Sequence, residues 1–456
     1  ILKKLQWMHY LSIFSACFEN TFFSGAIYGW PALEYVLKNE GYFSDLCQNN
    51  TNLTSCEKSE YQFSSIFTIS TSIMVILAPL NGYTFDKLGT WVHRSIASTL
   101  FTLGAILLAA SSPKNSNLLY PGAIFIAIGG INFLISNVQL GNPAGSGRST
   151  VMAFVNGSYD SAAILFLIVK LLYDSGVILR SILIVYAALT IYPWIITFTL
   201  MPRHSFPFPM TSLDYKYGIF ELKDAFRQYL ITKNEVVEIN NELETTVQED
   251  GKTLLQCIFS PIFWTNCFYF SLLHLRLIVF FGGSIQWLSG FNNSSEISNL
   301  TNVLGIMLCF GIFVAPLNGL LMDFVVSFNV GRGISAAKSR WRAVFASCLT
   351  TTLLAVIFSI AASQQNAYAT FVLLLLARAF VYASNTAFLA FTFPSNHFGK
   401  LLGLTMMISG IVGLSSLGFL RLATLYDKKL IVTNYAMIAE TAITVIHSVY
   451  IFTKCR

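Results

Sequence analysis

The chain of 456 residues is 54% hydrophobic and only 11% charged, with a mean hydropathy of +0.62. Soluble domains carry about 25% charged residues, so there are too few charges here to cover a water-facing surface. A net charge of +6 on so apolar a chain is no signal of nucleic-acid binding. Apolar runs recur, each long enough to cross a bilayer core of roughly 30 Å, which predicts an all-α, polytopic membrane protein. In chain order the spans are expected near 8–36, 61–83, 95–112, 119–140, 150–171 and 178–201. After a polar segment six more are expected near 258–288, 301–322, 343–362, 368–391, 401–420 and 433–452. The first residue is Ile1 rather than Met, so the native start is expected upstream and no signal peptide is read.

Loop charge gives an orientation. With the N-terminus in the cytoplasm, the cytoplasmic segments hold 18 Lys and Arg, Arg94 among them, against 8 in the outer segments and span ends. That bias predicts both termini on the cytoplasmic side. The sequons at Asn49, Asn52, Asn292, Asn293 and Asn299 all fall in the two loops placed outside, where they are glycosylation candidates. Cys47 and Cys56 share the first of these loops and are a candidate disulfide in an oxidising compartment.

The polar segment, 202–254, carries 9 acids and 6 bases. It reads as a flexible cytoplasmic linker with some amphipathic helix, or as a regulatory docking segment. It divides the chain into an N-terminal unit of six spans (1–201) and a C-terminal unit of six (255–456).

One stretch is spelled twice. "APLNGYTFD" (78–86) and "APLNGLLMD" (315–323) agree at six of nine positions, at the same end of spans 2 and 8. Such self-similarity marks an internal repeat. Six spans plus six with a polar linker between is the parallel-repeat plan of the major facilitator superfamily. The first copy continues to "GYTFDKLG", in which Gly82, Asp86, Lys87 and Gly89 resemble that superfamily's G-x-x-x-D-[RK]-x-G signature. The second keeps Gly319 and Asp323 but lacks the base and the second glycine. These residues are read as a cytoplasmic gate, whose acids are stabilised beside helix N-termini only when that side is closed. The plainer reading is a tight turn.

Ionisable groups at bilayer depth are costly and functional by default. Glu19, Asp160, His274, Arg276, Arg378 and Glu440 qualify, Glu440 as a structural partner. Asn20, Asn137, Gln139, Asn156, Gln286, Tyr382 and Asn385 add hydrogen-bonding capacity. Asn156 and Asp160 share a helix face at i, i+4, and so do Arg378, Tyr382 and Asn385 at i, i+4 and i+7. Glu19 and Phe23 align with Tyr28 only loosely. "GNPAGSGRST" (141–150) is set aside as a phosphate loop, having Asn142 where a glycine and Arg148 where a lysine belong, with no strand before it.

Several stretches resemble solute carrier family 43: "GWPALEYVLKNEGYFSDLC" (29–47), "GRSTVMAFVNGSYDSAAILFLIVKLLYDSG" (147–176), "APLNGLLMD" and "FPSNHFGKLLGL" (393–404). One branch of that family moves purine nucleobases without ion coupling, and another comprises sodium-independent uniporters of large neutral amino acids. "SNVQLGN" (136–142), the acid in "NGSYDSAA" and "ARAFVYASNTAFL" (377–389) are similar to the nucleobase branch. "ENTFFSG" (19–25), "LHLRLIVFF" (273–281) and "SNHFG" lean to the other, and Arg276 is the main departure from the nucleobase pattern.

The resemblance implies a plasma-membrane uniporter of adenine, guanine and hypoxanthine that works by alternating access, with no cofactor or metal, as a monomer. The substrate-binding candidates are Glu19, Asn20, Asn137, Gln139, Asn156, Asp160, Arg276, Arg378, Tyr382 and Asn385. A neutral amino acid is the rival substrate. A solute sensor with 202–254 as its output segment is the rival class, and an enzyme is disfavoured because no nucleophile–base pair or metal cluster appears.

Overall fold

The computed structural model describes residues 2–47, 57–206, 253–394, 397–426 and 430–455. Asn49, Asn52, Cys56 and nearly all of the 202–254 segment therefore lie outside the described residues, as does the Arg148 side chain.

The fold is all-α. The N-terminal helices are α1 (Leu2–Glu19), α2 (Trp30–Asn39), α3 (Glu57–Ile76), α4 (Ala78–Ala110), α5 (Leu119–Val138), α6 (Arg148–Asp160), α7 (Ile164–Asp174), α8 (Leu179–Leu189) and α9 (Ile191–Thr199). After a short α10 (Leu254–Ile258) come α11 (Pro261–Ser289), α12 (Ser294–Cys309), α13 (Gly311–Val314), α14 (Leu317–Val330), α15 (Ala336–Ser363) and α16 (Ala367–Thr392). The chain ends with α17 (Phe398–Gly413), α18 (Ser416–Tyr426), α19 (Ile431–Ile443) and α20 (Val445–Cys455). Among the described residues ten helices, several built from two of these segments, are long and apolar enough to cross a membrane. Large side chains such as Phe14, Ile178, Phe313 and Val432 point outward, as a lipid-facing surface requires.

Two boundaries differ from the sequence expectation. The loop expected at 84–94 is a single residue, Gly89, whose φ of 75° is open to glycine at little cost. Its N-terminal neighbours stay helical, and the next helix begins at once. Arg94 is therefore a buried span residue and not a cytoplasmic charge. The second nonapeptide has no such glycine, so its helix runs on to Val330 and the turn comes at Gly333, at φ 77°. That explains why the signature is complete in one copy only.

The first span is broken at mid-depth. After α1 the chain forms a π-turn over Asn20–Ser24, bends at Gly25, and passes through a 3-10 turn over Ala26–Gly29 into α2. Side chains pin the broken segment in place. Here Asn20 Nδ2 donates to the Val155 carbonyl (2.9 Å) and Ser24 Oγ donates to Asn20 Oδ1 (2.7 Å). The fifth span breaks at the same level, between α6 and α7, and Gly25 packs against Tyr159 and Ala162 there.

Small residues let these irregular segments approach closely. A Cβ on Gly130 would run into the Ser24 carbonyl oxygen, and one on Gly418 would meet nothing within 4 Å. Gly130→Ala should therefore destabilise the protein by about 1–3 kcal/mol, the usual cost of overpacking. Gly418→Ala should leave the thermal midpoint in detergent unchanged. Equal midpoints would show that α5 yields freely.

Two seams join the N-terminal helices to the C-terminal ones. Along the first, Gly410 of α17 sits against Ser72, Val75 and Ile76 of α3. Along the second, Gly157 of α6 packs on Ile312, and Gly311 packs on Asp160. Ser161 Oγ ties that seam by donating to the Cys309 carbonyl (2.9 Å) and accepting from the Ile312 N–H (3.1 Å).

Candidate functional site

Two buried ion pairs dominate the interior, and they differ in kind. The first lies within the N-terminal helices. Glu19, at the end of α1, receives both of its bonds from Arg94 Nη2, at 2.8 and 2.7 Å. Arg94 also donates from Nε to Thr197 (3.0 Å) and from Nη1 to Ser136 (2.9 Å) and Asn137 Oδ1 (2.8 Å). Both side chains are fully buried. Asn137 spends its amide on Asn20 Oδ1 (2.8 Å), and Gln139 is engaged with Thr90, the Ser136 carbonyl and the Phe206 N–H. The network is closed. It brings Glu19, Asn20, Asn137 and, through Ser136 and Thr90, Gln139 together as a polar core of the N-terminal helices, with little capacity to spare.

The second pair crosses between the two sets of helices. Arg378 Nη2 of α16 stands 3.1 Å from Asp160 Oδ1, and Nη1 donates to the Asp160 carbonyl at 3.4 Å. The approach is close enough for charge attraction but poorly aligned, and neither Nε nor Nη2 makes a hydrogen bond. The Asp160 side chain is 15% exposed where Arg378 is 2%. This pair has unused bonding capacity.

Aromatic rings from both sets enclose it. The guanidinium lies 4.1 Å above the Tyr28 ring and 5.7 Å from Phe281, placements that favour cation–π attraction. Tyr28 meets Tyr159, Phe67 and Phe281 edge-on and reaches Tyr382 Oη at 3.4 Å. Tyr382 in turn abuts Phe270 and His274. Tyr28 comes to the centre because the π- and 3-10 turns rotate the chain beyond α1. Phe23, just before the bend, packs instead on Phe101, Tyr186 and Tyr192 among the N-terminal helices.

Helical geometry sorts the remaining candidates. Phe270, His274 and Phe281 share one face of α11, at i, i+4 and i+11. Arg276 is two residues from His274, about 200° around the helix. It faces α15 and α19, donating to Ser359 Oγ (2.8 Å) and Asn434 Oδ1 (3.3 Å) and lying 4.2 Å over Phe358. Glu440, on α19, has both carboxylate oxygens buried without a hydrogen bond. Asn385 is buried and accepts from Asn266 Nδ2 (2.8 Å). Asn156 is exposed and donates to the Met152 carbonyl one turn back. Thus the structure gathers Asp160, Arg378 and Tyr382 at one place; Arg276 is on another surface of α11, while Asn385 is engaged with Asn266 two turns along α16 and Asn156 is exposed one turn before Asp160. Sequence reasoning missed Arg94, Phe67 and Phe281. The glycine of the signature, which closes the turn before Arg94, was the available signal for the first.

At one end of the bundle the two sets are latched. Lys170 of α7 is fully buried, bonded to Asp174 (2.7 Å) and across the seam to Ser298 of α12 (2.8 Å), with its ammonium 4.7 Å over Tyr35. Asn293 and Asn299 are exposed at this end, and Asn292 is half-buried. Cys47, also here, is disulfide-bonded, and its expected partner Cys56 is outside the described residues. Both nonapeptides lie at the opposite end. There Asp86, Lys87 and Asp323 are exposed and no ion pair holds them among the described residues, and a Cβ on Gly82 or Gly319 would touch nothing. Nowhere among the described residues do three His, Cys, Asp or Glu gather as metal ligands.

Comparison with known proteins agrees with this architecture. The family model of the Major Facilitator Superfamily matches residues 10–416. The equilibrative nucleobase transporter 1 of Bos taurus is 33% identical over 461 residues, covering 95% of this chain and 94% of that one. The large neutral amino acids transporter small subunit 3 of Homo sapiens is 27% identical over 477 residues, covering 88% and 85%. Among solved structures, the nucleoside transporter NupG superposes with a TM-score of 0.57 at 13% identity, covering 97% of this chain and all of that one. A POT family transporter in complex with 5-aminolevulinic acid gives the same score over 96% of each chain. Those two likenesses speak for the fold. The chain is therefore a multi-pass membrane transporter of the major facilitator superfamily and belongs, within it, to solute carrier family 43.

Proposed function

We propose that the protein is a plasma-membrane uniporter of purine nucleobases, with both termini in the cytoplasm. The N- and C-terminal six-helix units rock about the chamber between Asp160 and Arg378. The carrying observation is that this ion pair keeps hydrogen-bonding capacity unspent inside a ring of Tyr28, Tyr159, Phe281 and Tyr382. A planar neutral heterocycle takes aromatic faces for stacking and a few convergent polar groups for its edge. The 33% identity with a nucleobase transporter supports the same reading.

In this reading the Lys170–Ser298 latch closes the outer side, and the bare Asp86, Lys87 and Asp323 belong to an open cytoplasmic gate. These groups would find partners only after the rocking motion. The charged pair also suits a zwitterion, and the 27% relatives are named for amino-acid transport, so a large neutral amino acid is the second reading.

Uptake of labelled adenine and labelled leucine into vesicles, each competing against the other, separates the two. Adenine should enter to the external concentration and no further, unaffected by leucine or by a pH gradient. Entry of leucine without adenine would transfer the protein to the amino-acid branch, and uphill accumulation under a pH gradient would refute simple facilitation.

A further inference from the structure

His274 sits on the chamber face of α11, 1% exposed, stacked on Phe270 with ring centroids 5.6 Å apart and planes 4° apart, and edge-on to Tyr382 at 5.9 Å. The imidazole is held on two sides by rings. One edge of the ring lies against the backbone of Ser409 of α17, whose own N–H is engaged within the helix. Placing the ring proton on the nitrogen that faces the Ser409 carbonyl leaves Nδ1 as an acceptor. Nδ1 is buried and has no partner. A buried polar atom without a partner costs stability unless something else fills the role. On the same wall, Arg378 Nε is a buried donor with no acceptor, and Tyr382 lies between them, one turn from Arg378 on α16.

We propose that His274 is a specificity-determining residue of the chamber, its Nδ1 accepting a hydrogen bond from an N–H or amino group on the edge of a planar nitrogen heterocycle. Arg378 Nε, beyond Tyr382, donates to a ring acceptor at another position on the heterocycle's perimeter, while Tyr28 and Tyr382 line the site. An acceptor and a donor set apart by Tyr382 suit a purine, whose perimeter carries N–H donors and ring-nitrogen acceptors at several positions. An aliphatic side chain has no such edge. The inference rests on the nucleobase reading above and deepens it.

The test is the concentration dependence of adenine and hypoxanthine uptake for the full-length protein, with His274→Phe and His274→Asn beside the parent. The phenyl ring keeps the stacking and removes the nitrogen, so KM for adenine should rise roughly tenfold, the effect of one buried hydrogen bond, with the maximal rate within a few-fold. The Asn amide oxygen reaches about where Nδ1 stands, so His274→Asn should recover most of that loss. Because adenine and hypoxanthine present different groups at one edge position, the ratio of their KM values should shift in His274→Phe. A thermal melt in detergent shows whether each variant is folded, and adenine should raise the melting point of the parent and of His274→Asn more than that of His274→Phe. An unchanged KM ratio in a folded His274→Phe would overturn the assignment and leave purine transport standing. A parent that moves neither purine would overturn both.

Discussion

Glu19→Gln should lower the thermal midpoint of the detergent-solubilised protein sharply, by a destabilisation of about 3–5 kcal/mol, the range for breaking a buried pair from one side. The substitution keeps the shape and most of the hydrogen-bonding atoms of the side chain. What it removes is, among the described residues, the only carboxylate bonded to Arg94, a guanidinium that is wholly buried beneath Thr197, Ser136 and Asn137. Those neighbours are neutral and cannot compensate the charge. Removing both partners, as in Glu19→Leu with Arg94→Met, should cost less than Glu19→Gln alone, because no charge is then stranded. The pair of results distinguishes a structural core from a transport site. A Glu19→Gln protein that melts like the parent and yet fails to take up adenine would return Glu19 to the substrate path.

The expectation that Glu19 meets substrate is instructive, because it came from an incomplete inventory of charge. Hydropathy locates apolar runs well, and the all-α architecture follows from them with the repeated nonapeptide. Short turns are less legible. Residues 84–94 look like a loop by composition, with an acid, two bases and a histidine within eleven residues, but one glycine at φ 75° makes the whole turn. Arg94 then moves from a cytoplasmic charge to the counterion of Glu19, and the burial of Glu19 has a structural account. The breaks after Glu19 and Asp160 were illegible for another reason. They persist because Gly25, Gly130 and Asn20 find partners on distant helices, and such contacts leave no local periodicity. Asp160, Arg378 and Tyr382 were readable because burial cost and helical spacing both act within one helix. Arg276 shares the burial cost with Arg378, but its partner helices, α15 and α19, are set by packing that a lone helix does not reveal.

Asp160→Asn should reduce the uptake efficiency for adenine by about a hundredfold, near 2.8 kcal/mol at 1.4 kcal/mol per tenfold. The carboxylate is the only anion paired with Arg378 among the described residues. Without it the guanidinium is held by the Asp160 carbonyl and the Tyr28 and Phe281 faces alone. Two roles lead to that same loss. The pair could be a strap whose making and breaking sets the balance of the two conformations, or it could supply the groups that meet the substrate. Exchanging the residues, Asp160→Arg with Arg378→Asp, separates these roles. The exchange restores an ion pair across the seam, so it should recover much of the thermal stability lost in Asp160→Asn. It also moves the donor fork to α6 and removes it from the wall shared with His274 and Tyr382, so uptake should stay low. Full uptake in the exchanged protein would mean that attraction between the two units is all the pair contributes, and the site of recognition must then lie elsewhere along the seam. The imperfect alignment of Arg378 with Asp160 argues against that result, since a strap selected for holding strength would more closely resemble the two short charge-assisted bonds from Arg94 Nη2 to Glu19.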